Sequence, residues 1–92
     1  MDYENAKKEL TKVIREGKFI IGANEAIKNL RQGKVEKLFV AKNCEKGIKE
    51  DLIKYAKLNE VPIFELDVPN TELGILCKKQ YSASVVHTIK GE

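Results

Sequence analysis

Apolar residues along the chain fall into segments whose spacing alternates between helical and extended. Ala6, Leu10, Val13 and Ile14 recur at i, i+4, i+7 and i+8, which predicts an amphipathic helix over residues 3–16. Gly17 is placed to stop it with a left-handed cap. Phe19, Ile20 and Ile21 form a short apolar run that reads as a buried strand. Gly22 turns the chain, and Ala23, Ala26, Ile27 and Leu30 mark the stripe of a second helix, with Asn24 as its N-cap and Gly33 at its end. Val35 and residues 38–41 read as a strand. Residues 47–59 read as a third helix with Ile48, Leu52, Ile53, Tyr55 and Ala56 turned inward. Residues 62–66 predict a strand, with proline tolerated at its first position. Asn70 is a candidate cap for a fourth helix carrying Leu73, Leu76 and Cys77, and residues 83–89 alternate as a last strand.

Four helices alternating with four strands imply an α/β fold: a three-layer α/β/α sandwich around a four-stranded mixed sheet, in one domain over residues 1–92. Strand order is not contained in this pattern. A chain of 92 residues buries roughly 60–70% of its unfolded surface, enough for a core without disulfide or metal staples.

Hydrophobic residues make up 42% and charged residues 34% of the chain, an ordinary balance for a soluble protein. No apolar run approaches the ~20 residues that span a bilayer. The opening Met-Asp-Tyr-Glu lacks a basic-then-apolar leader pattern, so a cytoplasmic location is expected. Cys44 and Cys77 stand in no metal or CxxC spacing and read as buried thiols in a reducing compartment. The net charge of +3 is unevenly spread. Residues 1–49 hold twelve Lys/Arg against seven Asp/Glu, and residues 50–92 hold five against seven. A basic half fits a polyanionic partner, and it equally fits a solvated lysine-rich surface.

Sets of residues that carry catalysis are missing from the sequence. His87 is the single histidine and lies inside the last strand, where a locally bonded structural histidine is the expected role. There is no phosphate-cradling GxxxxGK[ST] or GxGxxG loop, and no metal-ligand spacing. An enzyme, a cofactor and a metal are therefore not expected.

The informative stretch is Gly22-Ala23-Asn24-Glu25-Ala26-Ile27-Lys28. With Ala23, Ala26 and Ile27 assigned to the core, Asn24, Glu25 and Lys28 share the exposed arc of the first helical turns. Asn and Glu can read base edges, Lys can reach a base or a phosphate, and a helix start offers free N–H groups to an anion. The same residues also fit a plain helix cap with a Glu25–Lys28 pair. A second polar cluster, Lys78-Lys79-Gln80-Tyr81-Ser82, combines cations with an aromatic that could stack on a base, or it is simply the end of a helix. Gly74, inside the fourth helix, suggests a close approach by other backbone or by a ligand.

The Gly22–Lys28 stretch resembles the Gly-x-Asn-Glu-x-x-Lys motif of the L-seven-Ae kink-turn-binding family. Leu30-Arg31-Gln32-Gly33-Lys34, Leu38-Phe39-Val40-Ala41-Lys42-Asn43, Tyr55-Ala56, Val61-Pro62 and Asn70-Thr71-Glu72-Leu73-Gly74 are similar, in the same order, to a ribosomal branch of that family. The resemblance covers nearly the whole chain. It implies binding to a kink-turn, a bent RNA helix–loop–helix with tandem sheared G·A pairs. By that likeness Asn24, Glu25 and Lys28 would face the G·A pairs, Gly22 would admit a phosphate, and Asn43 would touch RNA. Lys78, Lys79 and Tyr81 would lie around the flipped-out loop base. Many relatives carry Gly where Lys78 stands and Arg where Ser82 stands. The implied function is that of a structural protein of the large ribosomal subunit, monomeric when free. A core protein of guide-RNA ribonucleoproteins is the alternative within RNA binding. A small-ligand or enzymatic α/β domain is the alternative outside it.

Overall fold

The computed structural model describes residues 3–90, with side chains from Asn5 onward. The elements run α1 (Tyr3–Glu16), β1 (Ile20–Ile21), α2 (Ala23–Arg31), β2 (Val35–Val40), α3 (Lys46–Leu58), β3 (Ile63–Glu65), α4 (Asn70–Leu76) and β4 (Val85–Ile89). The four strands form one mixed sheet in the order β1-β4-β2-β3. β4 is antiparallel to both β1 and β2, and β2 is parallel to β3. The last strand is thus inserted next to the first, and the two longest strands form the centre.

Both faces of the sheet are covered. On one, α1 and α4 bring Ala6, Leu10, Val13, Leu73 and Cys77 against Phe39, Ala41 and Val86. On the other, α2 and α3 bring Ala26, Leu30, Leu52 and Ala56 against Val35, Leu38, Val40 and Val85. Fully buried leucines such as Leu30 and Leu38 each contribute about 2 kcal/mol of apolar burial. Phe39 and Phe64 stack with ring centroids 5.1 Å apart. Burial on both faces explains why β4 does not alternate in polarity: Val85 through Thr88 are all buried.

β2 contains an irregularity that the sequence hides. Val35 pairs with Ile89 and Lys37 with Thr88, so Glu36 is an extra residue in the ladder. This lets Val35 and Leu38, three apart, enter the same core layer. The Lys37 amide donates to Thr88 Oγ1 at 3.1 Å, and Lys37 Nζ reaches Glu9 at 3.0 Å, which holds that half-buried carboxyl below its usual range.

The predicted helices are present, and Gly17 and Gly33 sit just past α1 and α2 with φ of 73° and 69°. Three local expectations are corrected. β1 is a half-buried, two-residue edge strand, because β4 covers it on one side only. Gly22, not Asn24, is the N-cap of α2, and Asn24 lies one position past the first helical residue with no capping hydrogen bond. Pro69 occupies the N-cap of α4, so Asn70 is its first helical residue.

Candidate nucleic-acid interface

The sheet order brings the sequence-predicted residues to one end of the molecule. The start of β4 is flanked by the end of β1 and the end of β2. Backbone hydrogen bonds fasten the three segments there: Gly22 N–H to the Val85 carbonyl at 3.0 Å, and Ala41 N–H to the Ser84 carbonyl at 2.8 Å. Beyond β1 lies the start of α2, beyond β2 lies Asn43, and before β4 lies the loop containing Lys78, Lys79 and Tyr81.

Gly22 has φ 133° and ψ 134°, a conformation that L side chains rarely adopt, and it makes the turn from β1 directly into α2. Among the described residues, nothing beyond its chain neighbours lies within 4 Å of where its Cβ would be, so the space above it is open to another molecule. The first intrahelical hydrogen bond runs from Ala26 N–H to the Gly22 carbonyl. The amides of residues 23–25 precede it, at the positive end of the helix.

Asn24, Glu25 and Lys28 are all exposed, while Ala26 beneath them is fully buried. Among the described residues, neither Asn24 nor Lys28 makes a side-chain hydrogen bond or ion pair. The expected Glu25–Lys28 pair is not formed. Asn24 and Lys28 are thus uncommitted, and Glu25 acts on the fold only through its charge on His87.

Asn43 is differently placed. Its Oδ1 accepts from the Asn70 amide at 2.7 Å, and its Nδ2 donates to Asn70 Oδ1 at 3.1 Å. Asn43 therefore caps α4 from a distant loop. The Asn70 carbonyl in turn accepts from Ala83 N–H at 3.0 Å, which ties the 78–82 loop to the same point. Gly74 meets this loop closely: a Cβ there would overlap the Tyr81 carbonyl oxygen and stand 3.3 Å from Ser82 Cα. The close approach expected at Gly74 is thus by backbone.

In the loop, Lys78 adopts φ 60° as the residue after the α4 cap, with Lys78 and Lys79 amides closing onto Ile75 and Gly74 carbonyls. The left-handed position is the one at which glycine is usual. Lys79 and Tyr81 line a groove of about 320 Å3 with Phe19, Ile20 and Ile21, and Tyr81 is 59% exposed. A larger groove, about 450 Å3, adjoins it, sharing Gly17, Phe19 and Ile20 and running on to Lys37 and Ile89, and it is lined by none of the predicted site residues.

Sequence reasoning did not find the support under α2. His87 is fully buried, and Asn29 Nδ2 lies 2.9 Å from its Nε2, a contact between residues 58 apart in the chain. Its Nδ1 has no partner among the described residues. Burial lowers the imidazole pKa, against a smaller upward pull from Glu25. Cys44 and Cys77 are free, and burial pushes both thiols up. Among the described residues no cluster of His, Cys, Asp and Glu could hold a metal ion, and no helix is long and apolar enough to cross a membrane.

Comparison with known proteins decides the lineage. Residues 4–92 match the description of the Ribosomal protein L7Ae/L30e/S12e/Gadd45 family. The chain belongs to this family. It is 37% identical over 70 residues to the large ribosomal subunit protein eL30 of Methanococcus vannielii, covering 76% of this chain and 67% of that protein. Against eL30 of Saccharolobus solfataricus the identity is 36% over 81 residues, covering 88% and 75%. The fold is similar to that of a 15.5 kDa RNA-binding protein of Giardia lamblia, with a TM-score of 0.79, 23% identity, and coverage of 100% of this chain and 80% of that one. A Bacillus halodurans protein of unknown function shares it at a TM-score of 0.76 and 16% identity, over 89% and 81% of the two chains.

Proposed function

We propose that this chain is a non-enzymatic structural protein of the large ribosomal subunit, acting in the cytoplasm, that binds a kink-turn in ribosomal RNA. One observation carries the proposal: Asn24, Glu25 and Lys28 stand exposed at the start of α2, with Asn24 and Lys28 unbonded among the described residues, beside an open space at Gly22. In a widened groove Asn24 and Glu25 meet the edges of sheared G·A pairs, where amide and carboxylate match the guanine and adenine donors and acceptors. Lys28 supplies a cation to a base or phosphate one turn on. A backbone phosphate reaches the amides above Gly22, where no side chain stands in its way. Tyr81 and Lys79, across the groove beside β1, take the unstacked loop base and its phosphate. Asn43 borders the site and, through Asn70, fixes the loop that carries them. The free protein acts as a monomer. The eL30 relatives favour the ribosomal role over a guide-RNA one.

A gel shift tests this reading by comparing a kink-turn RNA with the same duplex lacking its G·A pairs. Side chains cannot enter the deep, narrow major groove of regular A-form RNA, so the kink-turn should bind at least tenfold tighter at moderate salt. Equal affinity for the two RNAs refutes the proposal.

A further inference from the structure

The exposed face of α2 does not end with the motif. Arg31 lies seven residues after Asn24 and three after Lys28, on the same face and about 10 Å further along the helix axis. Its side chain is exposed, yet it is held in place: the guanidinium carbon lies 5.7 Å from the ring centroid of Tyr55 on α3. Among the described residues it has no ion pair; Asp51, one turn before Tyr55, does not bond it. Lys34 is exposed just past the end of the helix.

We infer that Arg31, braced by Tyr55, binds a backbone phosphate and carries the RNA contact of α2 beyond the base-reading motif, onto the stem next to the G·A pairs. The inference rests on the RNA reading proposed above and adds a residue to it. Three features support the assignment. A guanidinium over a ring, with no ion pair among the described residues, keeps its planar fork for phosphate oxygens. A side chain already restrained in the free protein loses less freedom on binding. The 10 Å offset sets Arg31 two turns past the base-reading residues, where a helix whose tip meets the base pairs passes a bordering strand. The chemistry of the face selects RNA over protein as the occupant. Asn24, Glu25, Lys28, Arg31 and Gln32 are polar or charged, with two cations against one acid, and α2 exposes no large apolar anchor of the kind that centres protein interfaces.

The test uses the full chain and two kink-turn RNAs that differ only in the stem beyond the G·A pairs, one with about ten base pairs and one cut to about three. R31Q should bind the long-stem RNA about fivefold more weakly than wild type, with the slope of log affinity against log salt reduced by about 1, and should match wild type on the short stem. Y55L, which keeps an apolar side chain but removes the ring, should show part of the long-stem loss, and Y55F should show none. K28A should lose affinity for both RNAs. Thermal melts of the same preparations identify any loss that comes from unfolding. Wild-type affinity of R31Q on the long stem overturns the inference and leaves the face to a protein partner. An equal loss on both stems overturns it too, because Arg31 would then act at the G·A pairs or through the fold. Long-stem binding by Y55L equal to wild type overturns the bracing role. A wild-type protein that fails to prefer the kink-turn over plain duplex sinks the underlying reading as well, and that outcome is distinct from the others.

Discussion

Replacing Gly74 with alanine sets two effects of known sign against each other. Alanine favours a helix interior by about 1 kcal/mol over glycine, so propensity alone predicts stabilisation. The structure opposes it. The new methyl group would overlap the Tyr81 carbonyl oxygen and stand 3.1 Å from its carbon and 3.3 Å from Ser82 Cα, all backbone atoms that cannot rotate away. Forcing a methyl group into such a contact costs about 1–3 kcal/mol. Moving the loop instead weakens the hydrogen bonds from Lys79 N–H to Gly74 and from Ala83 N–H to Asn70, each worth about 1 kcal/mol. The net expectation is destabilisation of about 1 kcal/mol, or a fall in Tm of about 4–8 °C for a chain of this size. Urea and thermal denaturation measure it directly. A variant as stable as wild type, or more stable, would show that the loop yields freely and that the close approach has no energetic weight.

Lys28→Ala should weaken kink-turn binding about tenfold while leaving the melting curve unchanged, since an exposed helical position tolerates alanine; gel shift and thermal melting of one preparation decide it. Asn24→Asp should cut affinity by more than about tenfold, because it loses the amide donor and adds charge beside phosphate. It should not lower Tm, since an acid in the first helical turn suits the dipole, so a variant that binds like wild type removes Asn24 from the site. Lys78→Gly should raise stability by about 0.5–1 kcal/mol in urea denaturation by relieving the left-handed strain at φ 60°. His87 predicts a pH effect. The folded pKa lies below the ordinary 6.5, so the unfolded chain takes up a proton first as pH falls; stability is full above about pH 6.5 and declines below it, by up to about 1.4 kcal/mol per pH unit. Urea titrations between pH 7.5 and 5 should show this decline, and His87→Gln should flatten it.

Much of the fold was legible because helical and extended spacing are local signals. α1 spans Tyr3–Glu16 as its apolar stripe predicts, and the glycines after α1 and α2 have the positive φ expected of them. The errors occur where a distant partner or an unusual backbone angle outweighs side-chain chemistry. Asn70 has the composition of a cap, but Asn43, 27 residues away, supplies the acceptor and Pro69 takes the capping position. Asn24 has the same composition, but the unusual φ of Gly22 starts the helix two residues earlier. The insertion of β4 between β1 and β2, the extra residue at Glu36 and the Asn29–His87 contact all depend on pairings across the chain, for which spacing carries no sign. In the candidate site, the exposure of Asn24, Glu25 and Lys28 was readable from the stripe beneath them, whereas the use of Asn43 as a remote cap was not.

The arrangement divides the predicted site into two kinds of residue with different consequences for change. Asn24 and Lys28 make no bonds within the described structure, so their side chains are free to serve a ligand, and substitutions there should alter binding with little effect on folding. Asn43 and the 78–82 loop are bonded to the start of α4, so a substitution in that group moves stability and recognition together. The rigid part is the frame: Gly22 is fastened to Val85, Ala41 to Ser84, and Asn70 to both Asn43 and Ala83. Such a frame holds the helix start and the aromatic loop at a fixed separation before any RNA arrives, which reduces the ordering cost of binding. It follows that effects at Lys28 and Gly74 should combine additively in stability, because the two residues share no partner. In RNA affinity they should not, because the helix and the loop would grip the same bent RNA, and displacing either one changes what the other can reach.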